Sequence, residues 1–561
     1  MKKLLVSKVF SHGIAIGPVF LVPEDRAAVS DAKAESGEEI EREIRRFETA
    51  ADKVAENLSR LAQDNKVFAG HIAIVKDYTL HDAVRRRIRE QHRNAEGASE
   101  ESVEELRRMF QSMDDPYMKE RAADIADVGS QLLACLQNRS DDKFGALKEP
   151  SVIVARDLVP SDTARLDKSL VLGFITEEGG VTSHVSIMAK SLNIPALVGA
   201  AGILDLVGEN SRVVMDAGTG EVYVDPEPGF AEDFARRKKR LEEENAAYLA
   251  DAGLPVVTKD GRRLKVYANV GSLRDVEQAA ELHAEGVGLF RTEFLYMENS
   301  HFPTEEEQFG VYRKAVETLG REIVVRTLDI GGDKKLSYYK FEPEQNPFLG
   351  LRAIRFCLKN PDIFKTQIRA ILRASHYGPL RIMLPMLVSL EEAESAMEII
   401  GRVREELSGE GVPFDSAIPV GMMMETPAAV FCADEFARMM DFFSIGTNDL
   451  TQYTLAVDRG NKEIRDLYDP FQPAVVRAIA RVIEAGHKAG IEVGMCGEFA
   501  GDRRATKLLL GLGLDEFSMS ASDTPGIKAA LRGMDFETER KRAPEILRMK
   551  HAAEIKSALD K

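Results

Sequence analysis

The sequence predicts a multidomain α/β protein: a compact α/β domain with an inserted helical bundle, followed by a (β/α)8 TIM barrel. Short strand-like runs lie on both sides of a long, strongly helical region. That region, residues 30–143, carries an apolar stripe with helical spacing. From about residue 255, eight short apolar runs alternate with helical patterns over about 300 residues, which is the size of one TIM barrel.

The first half of the chain contains the elements of two domains. Residues 1–29 hold strand-like runs at 4–9 and 18–22. The bundle begins with a 4–3 apolar stripe of Ile40, Ile44, Phe47, Ala51, Val54, Leu58 and Leu61. Further helical patterns at 70–90, 99–113 and 116–138 favour an antiparallel bundle.

From residue 151 the pattern changes to β-rich runs that alternate with helical segments. We expect the strands of residues 1–29 to complete this domain, which would then comprise 1–29 and 144–228 around the bundle at 30–143. Residues 229–254 are charged and alanine-rich, and they predict a helical linker. The barrel of residues 255–561 is predicted from runs at 265–270, 286–290, 323–328, 381–386, 420–424, 442–445, 492–496 and 516–519. Their uneven spacing leaves a doubly wound open sheet as the alternative.

Composition limits the class of partner and the compartment. The 561 residues carry a net charge of −17, which argues against nucleic acid or an anionic membrane as the main partner. The four cysteines are widely spaced and form no metal-type pair, as is typical of a reducing compartment. The N-terminal segment does not resemble a signal peptide, and no run of about 18 apolar residues occurs. We therefore expect a cytoplasmic protein.

The stretch Gly-Gly-Val-Thr-Ser-His at residues 179–184 indicates a possible reaction centre. Two glycines permit a tight turn, and Thr182 or Ser183 can cap a helix whose first turn carries His184. The free N–H groups and helix dipole at that position favour an anion on the imidazole, such as a phosphoryl group. These residues alone leave a purely structural capped helix as the alternative.

Polar residues follow most of the barrel runs, so they are expected to meet at the C-terminal mouth of the barrel. Arginines supply planar forks for phosphate or carboxylate oxygens. Two carboxylates are hard ligands suited to Mg²⁺, and a cysteine supplies a thiol that can give up a proton. The set is Arg291, Arg326, Arg459, Glu425, Asp449, Asn448 and Cys496. Each residue alone could form an ion pair or a core contact, but together they indicate a small anionic substrate bound through a divalent metal.

Several long stretches resemble the enzyme I family, the phosphoenolpyruvate–protein phosphotransferases of the sugar phosphotransferase system. One is Gly-Gly-Val-Thr-Ser-His-Val-Ser-Ile-Met-Ala-Lys at 179–190, and another is Arg-Thr-Leu-Asp-Ile-Gly-Gly-Asp-Lys at 326–334. The other matching stretches lie at 288–296, 346–355, 425–429, 444–453 and 495–498. They span both expected catalytic domains.

The resemblance implies a swivelling phosphohistidine domain that contains the bundle, followed by a barrel that binds phosphoenolpyruvate with Mg²⁺ on Glu425 and Asp449. His184 would accept the phosphoryl group, Cys496 would protonate the enolate to pyruvate, and Thr163 would hydrogen-bond the histidine. The residues implied to bind substrate are Arg291, Arg326, Arg352, Asn448, Asp449 and Arg459. The carrier protein HPr would dock on the bundle and take the phosphoryl group, and the chain would form a homodimer through the barrel.

The resemblance weakens in the bundle. Gly70-His71 fits the family pattern, but the acidic run usual after it reads Lys76-Asp77-Tyr78-Thr79-Leu80. We expect His71 to be either a helix-surface residue or a docking contact. Two other functions stay open: a regulatory phosphorelay protein that uses a different HPr-like carrier, and a relative of pyruvate,phosphate dikinase or phosphoenolpyruvate synthase. The second would need a large nucleotide-binding domain, for which no glycine-rich phosphate loop is present.

Overall fold

The computed structural model describes two compact units, residues 1–242 and 243–561. The described residues are all those outside 1, 7–12, 24–31, 63–66, 113–115, 140–142, 165, 180–184, 186–188, 190–193, 298, 332–333, 335, 337, 462 and 561. Each unit has its own apolar core.

The first unit contains a seven-stranded sheet. Its strands are β1 (Lys2–Leu5), β2 (Ile14–Leu21), β3 (Ser151–Ala155), β4 (Val171–Thr176), β5 (Ala196–Val198), β6 (Arg212–Asp216) and β7 (Glu221–Val224). Their order is β1-β7-β6-β2-β3-β4-β5, with β2 to β5 parallel. Because β2 pairs with both β3 and β6, the strands that precede the bundle complete a sheet formed after it. The predicted α/β fold with an inserted bundle is therefore confirmed.

The bundle consists of five helices, Gly37–Leu61, Val67–Val75, Tyr78–Gln91, Ala95–Ser112 and Pro116–Leu136. The pattern at 70–90 predicted one helix, but two are present. The side chain of Asp77 accepts hydrogen bonds from the backbone N–H groups of Thr79 and Leu80, which starts a new helix at Tyr78. Other helices among the described residues of this unit are Pro160–Ala164, Lys168–Leu170 and Ile203–Leu206, and helix Pro228–Ala250 occupies the predicted linker.

His71 is fully buried, with 0% of its surface exposed. Its Nε2 lies 3.2 Å from Oδ1 of Asp124, and its Nδ1 lies 3.6 Å from Oδ2 of Asp127. Both alternatives that the sequence offered for this residue, a surface position or a docking contact, are therefore wrong. The histidine can be buried because two carboxylates of helix Pro116–Leu136 lie beside its ring nitrogens.

The second unit contains a closed barrel of eight parallel strands. They are β8 (Lys265–Val270), β9 (Val287–Phe290), β10 (Ile323–Arg326), β11 (Leu380–Leu384), β12 (Val420–Met424), β13 (Phe442–Ile445), β14 (Glu492–Met495) and β15 (Glu516–Ser520). Each predicted run overlaps one of these strands. Strand β15 pairs with β8 and closes the ring, so the open-sheet alternative is wrong.

The barrel strands are connected and covered by helices. These are Leu273–Glu281, Glu293–Met297, Glu305–Leu319, Pro347–Leu349, Ile354–Lys359, Pro361–Ser375, Leu390–Gly409, Pro427–Phe431, Ala433–Phe436, Thr447–Leu455, Arg465–Leu467, Pro473–Ala489, Glu498–Gly501, Arg503–Leu512, Ala521–Asp523, Thr524–Arg532, Phe536–Ile546 and Ala552–Leu559. Among the described helices of both units, none has the length and apolar character needed to cross a membrane.

Candidate functional site

The carboxyl ends of the barrel strands carry a concentration of buried charge. Arg326 is the last residue of β10, Glu425 follows β12 directly, and Cys496 follows β14 directly. Because all eight strands are parallel and closed into a ring, these ends meet at one rim. The fold thus brings residues from distant parts of the sequence to one mouth.

Two buried arginines share one carboxylate at this rim. Arg326 is 6% exposed and Arg352 is 3% exposed. Asp329 lies 3.1 Å from Nη1 of Arg326 and accepts a 3.0 Å hydrogen bond from Nη2 of Arg352. Arg326 also pairs with Glu293. These carboxylates fix both guanidinium groups in place before any substrate arrives, as preorganised electrostatic catalysis requires.

The two arginines keep unused donors. The Nε atoms of Arg326 and Arg352 are buried and have no hydrogen-bond partner among the described residues. A buried unpaired donor costs free energy, about 1–3 kcal/mol for a typical group. Anionic oxygens of a bound ligand would remove that cost, so the pair forms a site prepared for an anion.

Positive charge dominates around Asp329. Burial alone would raise the pKa of its carboxyl, but Arg326, Lys334 and Arg352 outweigh burial and hold that pKa well below its usual range. The same balance of burial against Arg326 and Lys334 lowers the pKa of Glu293. Both carboxylates therefore stay ionised and continue to hold the cations at neutral pH.

Glu425 is short of positive charge. Burial, followed by the negative charges of Asp449 and Asp329, raises the pKa of Glu425 to about 8. Its Oε1 accepts a 2.7 Å hydrogen bond from the backbone N–H of Met386. Two hard carboxylates with an unfavourable mutual charge are a donor set that fits a divalent cation. No group of three or more potential protein ligands is found among the described residues, so other positions around a cation would fall to water or substrate.

Cys496 faces the barrel interior beneath these charges. It is buried in a cluster with Leu289, Val324, Met383, Met423 and Phe442. Burial raises the pKa of its thiol to about 11, whereas the neighbouring Ser444 hydroxyl acts in the opposite direction. The thiol therefore keeps its proton at neutral pH and can donate it to a strongly basic carbon.

The other predicted binding residues lie around the same mouth. Nη1 of Arg459 is 3.9 Å from Oδ1 of Asp449, and Nη1 of Arg352 is 3.5 Å from the same oxygen. Asn448 precedes Asp449 in helix Thr447–Leu455, and its Oδ1 accepts a hydrogen bond from the N–H of Glu498. Arg291 follows β9, is exposed, and its charge lowers the pKa of the Cys496 thiol.

Sequence reasoning missed two contributors to this site. Met386 directs its N–H at Glu425 from a left-handed backbone with φ of 60°. A methionine rarely adopts that conformation, so no local pattern could have indicated it. Asp329 lies within the stretch 326–334, but no role was predicted for it. Its contribution is to join Arg326 to Arg352 at the rim, and that contact is not visible in the sequence.

The predicted residues of the first unit are only partly described. His184 and its expected caps Thr182 and Ser183 lie outside the described residues. The next residue, Val185, is buried in a core cluster together with Ala189. Thr163 is buried in the short helix Pro160–Ala164, and its hydroxyl donates a 3.0 Å hydrogen bond to the carbonyl of Pro160.

The fold and the rim together define an enzyme that binds a small anionic substrate at the mouth of a TIM barrel. Three family models match the chain: the N-terminal domain of PEP-utilising enzymes at residues 8–121, their mobile domain at 147–220 and their PEP-binding domain at 245–536. PEP denotes phosphoenolpyruvate.

Three relatives match along almost their whole length, and each is named phosphoenolpyruvate-protein phosphotransferase. That of Haemophilus influenzae is 42% identical over 98% of this chain and 97% of the relative. The protein of Bacillus sp. strain S is 44% identical over 98% of this chain and 96% of the relative. The protein of Bacillus subtilis is 43% identical over 97% of this chain and 97% of the relative. The chain belongs to the phosphoenolpyruvate-protein phosphotransferase family of PEP-utilising enzymes.

Proposed function

We propose that this enzyme transfers the phosphoryl group of phosphoenolpyruvate to its own His184 and then to a histidine of the carrier protein HPr, with release of pyruvate. The observation that carries the proposal is the barrel rim: two buried guanidinium groups with free Nε donors, beside an electrostatically strained carboxylate pair and a protonated thiol. Phosphoenolpyruvate needs each of these, because it carries a phosphate, a carboxylate and a latent carbanion.

The first step begins with phosphoenolpyruvate held at the rim. Arg326 and Arg352 donate hydrogen bonds to its anionic oxygens, and Arg291, Asn448 and Arg459 complete the ring of donors. Mg²⁺ on Glu425 and Asp449 would supply positive charge that stabilises the transferring phosphoryl group. A nitrogen of His184 attacks phosphorus in line, a P–N bond forms, and the bond between phosphorus and the enol oxygen breaks.

The electron pair released by that cleavage becomes the enolate of pyruvate. Cys496 then donates its thiol proton to the terminal carbon of the enolate, which completes pyruvate. The resulting thiolate recovers a proton from water after product release. The raised pKa of the thiol suits this role, because a group that keeps its proton at neutral pH is an effective donor to carbon.

The second step passes the phosphoryl group to the carrier. His184 must reach the barrel mouth in the first step and the carrier in the second, so movement of the phosphohistidine domain is part of the proposal. Thr163 would hydrogen-bond the histidine. The domain boundaries at residues 30, 144, 229 and 255, the homodimer and the cytoplasmic location stay predictions.

Radiolabelled phosphoenolpyruvate, Mg²⁺ and purified HPr test the scheme. The wild-type chain should become labelled and then lose the label to HPr, whereas His184→Ala should take up no label. His301 is an exposed histidine, so His301→Ala offers a matched control that should behave as wild type. Full labelling of His184→Ala would sink the proposal.

A second candidate function, that of a regulatory phosphorelay protein, depends on which carrier accepts the phosphoryl group. Tyr78, 76% exposed, stands with Lys76 and Asp77 where an acidic run was expected. If the labelled chain fails to discharge to HPr but discharges to another histidine carrier, the regulatory phosphorelay function is favoured. The match over 97% of the Haemophilus influenzae relative sets the dikinase alternative aside.

A further inference from the structure

A buried polar network joins the bundle to the segment that carries Thr163. Its centre is Asp127, on bundle helix Pro116–Leu136. The carboxylate of Asp127 accepts hydrogen bonds from the hydroxyl of Ser161, from the backbone N–H of Ser161 and from Nε2 of Gln131. On its other side lies the buried ring of His71. Three buried groups from separate elements thus converge on one carboxylate.

The segment held by this carboxylate is unusually short. Helix Pro160–Ala164 has five residues, too few for a helix to persist by its own hydrogen bonds. It is tied at two points. Ser161 is bonded to Asp127, and the carboxylate of Asp162 lies 2.9 Å from Nζ of Lys143. The bond from Ser161 is the one that reaches into the bundle.

Thr163 lies two residues beyond Ser161 on the same turn. Its backbone N–H bonds the carbonyl of Val159, and its hydroxyl bonds the carbonyl of Pro160. Any rotation of this turn therefore moves the Thr163 hydroxyl with it. Because Ser161 is fixed to a buried carboxylate, the direction of the Thr163 hydroxyl is set from the bundle.

The Gly-His pair at residues 70–71 belongs to the same network. A side chain on Gly70 would collide with Nη1 of Arg121, since a Cβ there would lie 2.5 Å away. Arg121 lies 3.7 Å from Asp124, which in turn contacts His71. Nδ1 of His71 has no hydrogen-bond partner within the described part of the chain, and Asp127 accepts its hydrogen bonds from Ser161 and Gln131.

We propose that Ser161 and Asp127 are positioning residues for phosphoryl transfer, which act by fixing the turn that presents the Thr163 hydroxyl. The inference rests on the proposed function, in which Thr163 hydrogen-bonds His184. Ser161 and Asp127 are buried, at 5% and 2% exposed, and the proposal gives neither a contact with substrate. Their effect on the reaction passes through Thr163.

The test measures single-turnover transfer from the phosphorylated full-length chain to purified HPr. The variants are Ser161→Ala, Thr163→Ala, the double variant, Ser161→Thr and Asp127→Asn. Loss of the Ser161 bond should slow transfer about tenfold, the effect of one buried hydrogen bond. Ser161→Thr, which keeps the hydroxyl, should restore the rate to within about twofold. Ser169→Ala is the matched control, because that hydroxyl donates a hydrogen bond to Asp167 at the surface.

The double variant separates positioning from simple loss of stability. If Ser161 acts through Thr163, the double variant should be no slower than Thr163→Ala alone. Multiplied effects, or a wild-type rate in both Ser161→Ala and Asp127→Asn while Thr163→Ala is slow, would overturn the inference and leave the proposed function intact. A wild-type rate in Thr163→Ala would instead remove the role proposed for Thr163 itself. Thermal unfolding of each variant, with a KM for phosphoenolpyruvate that stays unchanged, verifies that the chain is folded.

Discussion

The two ends of the barrel both carry clustered charge, which is buried at the carboxyl-terminal rim and only half-buried at the amino-terminal end. At the amino-terminal end, Lys265 and Arg381 alternate with Glu322 and Glu492, and we call these four residues the amino-terminal square. Lys265 lies 2.6 Å from Glu492, and Arg381 lies 2.8 Å from Glu322 and 2.9 Å from Glu492. Each cation there faces two carboxylates. At the carboxyl-terminal rim, the Nε atoms of Arg326 and Arg352 lack hydrogen-bond partners among the described residues, and Glu425 lies beside Asp449. Nε of Arg381 also makes no hydrogen bond, but it lies 2.8 Å from a carboxylate oxygen of Glu322.

This difference teaches how to distinguish a structural ion network from a binding site. Charges that neutralise one another need nothing from outside, and they contribute to the fold. Charges that leave donors unpaired and carboxylates in mutual repulsion are costly until a ligand arrives. Arg326 and Arg352 also face two carboxylates each, and Glu516 at the amino-terminal end also has a raised pKa. Position separates the two ends: TIM-barrel enzymes carry their chemistry at the carboxyl-terminal rim, so we expect the reaction site there and a structural role for the amino-terminal square.

The largest expected effect compares one arginine from each end. Arg326→Lys keeps the charge but loses the planar fork, and kcat/KM for phosphoenolpyruvate should fall about 1,000-fold. Arg381→Lys makes the same chemical change in the amino-terminal square. It should keep kcat/KM within about twofold and lower the melting temperature by a few degrees. Equal losses of activity in both variants would break the comparison.

The next effect compares two buried thiols. Cys496→Ser replaces a proton donor at the rim with a much weaker acid, and pyruvate release should slow about 100-fold. Cys357 is also buried, with its pKa raised by burial, but its thiol faces the carbonyl of Leu328. Cys357→Ser should leave the rate of pyruvate release within about twofold. A steady-state assay of pyruvate decides between these outcomes, and slow release in both variants would contradict the assignment.

A third prediction concerns the cation at the rim. Because the pKa of Glu425 is raised to about 8, a proton and Mg²⁺ compete for its carboxylate at neutral pH. The Mg²⁺ concentration that gives half-maximal activity should therefore rise about tenfold for each unit of pH below 8. Titration of activity with Mg²⁺ at several pH values measures it. A chelator should abolish activity, and excess Mg²⁺ should restore it. A half-maximal concentration independent of pH would oppose this assignment.

The smallest effect on catalysis is expected at Glu516, a second glutamate with a pKa raised to about 8, here by burial first and by Glu492 second. Glu516 packs against Gly288, where a Cβ would lie 2.3 Å from its Oε1. Lys265 and Arg381 act against this rise, and Glu322 adds to it.

A folded-state pKa above the unfolded value means that the folded chain holds the proton more tightly. The stability from this group is complete below about pH 4.5 and is lost as pH rises through about 8. The loss is about 5 kcal/mol. Glu516→Gln should remove this pH-dependent loss. Urea unfolding of the variant should therefore show a smaller loss of stability between pH 6 and 9 than urea unfolding of wild type, with activity unchanged. Parallel pH profiles for variant and wild type would count against this.

Much of the site could be predicted because in a barrel the C-terminal end of a strand is also a position on the rim. Arg326, Glu425 and Cys496 each end or follow a strand, so a linear pattern indicated a shared location. Partners could not be predicted in the same way. Asp329 joins Arg326 to Arg352, which lies 23 residues further along the chain, and Met386 reaches Glu425 through a backbone conformation that its residue type disfavours.

The sequence by itself determined the strand runs, the helical stripe of the bundle and the residue types at the mouth, because these depend on periodicity and local chemistry. Only the tertiary structure decided that the barrel closes, that His71 is buried against Asp124 and Asp127, and that Ser161 is tied to the bundle. Those outcomes depend on which distant groups can satisfy a buried polar atom. Burial makes an unsatisfied polar atom costly, so the choice of partner is settled by packing between elements rather than by neighbours along the chain.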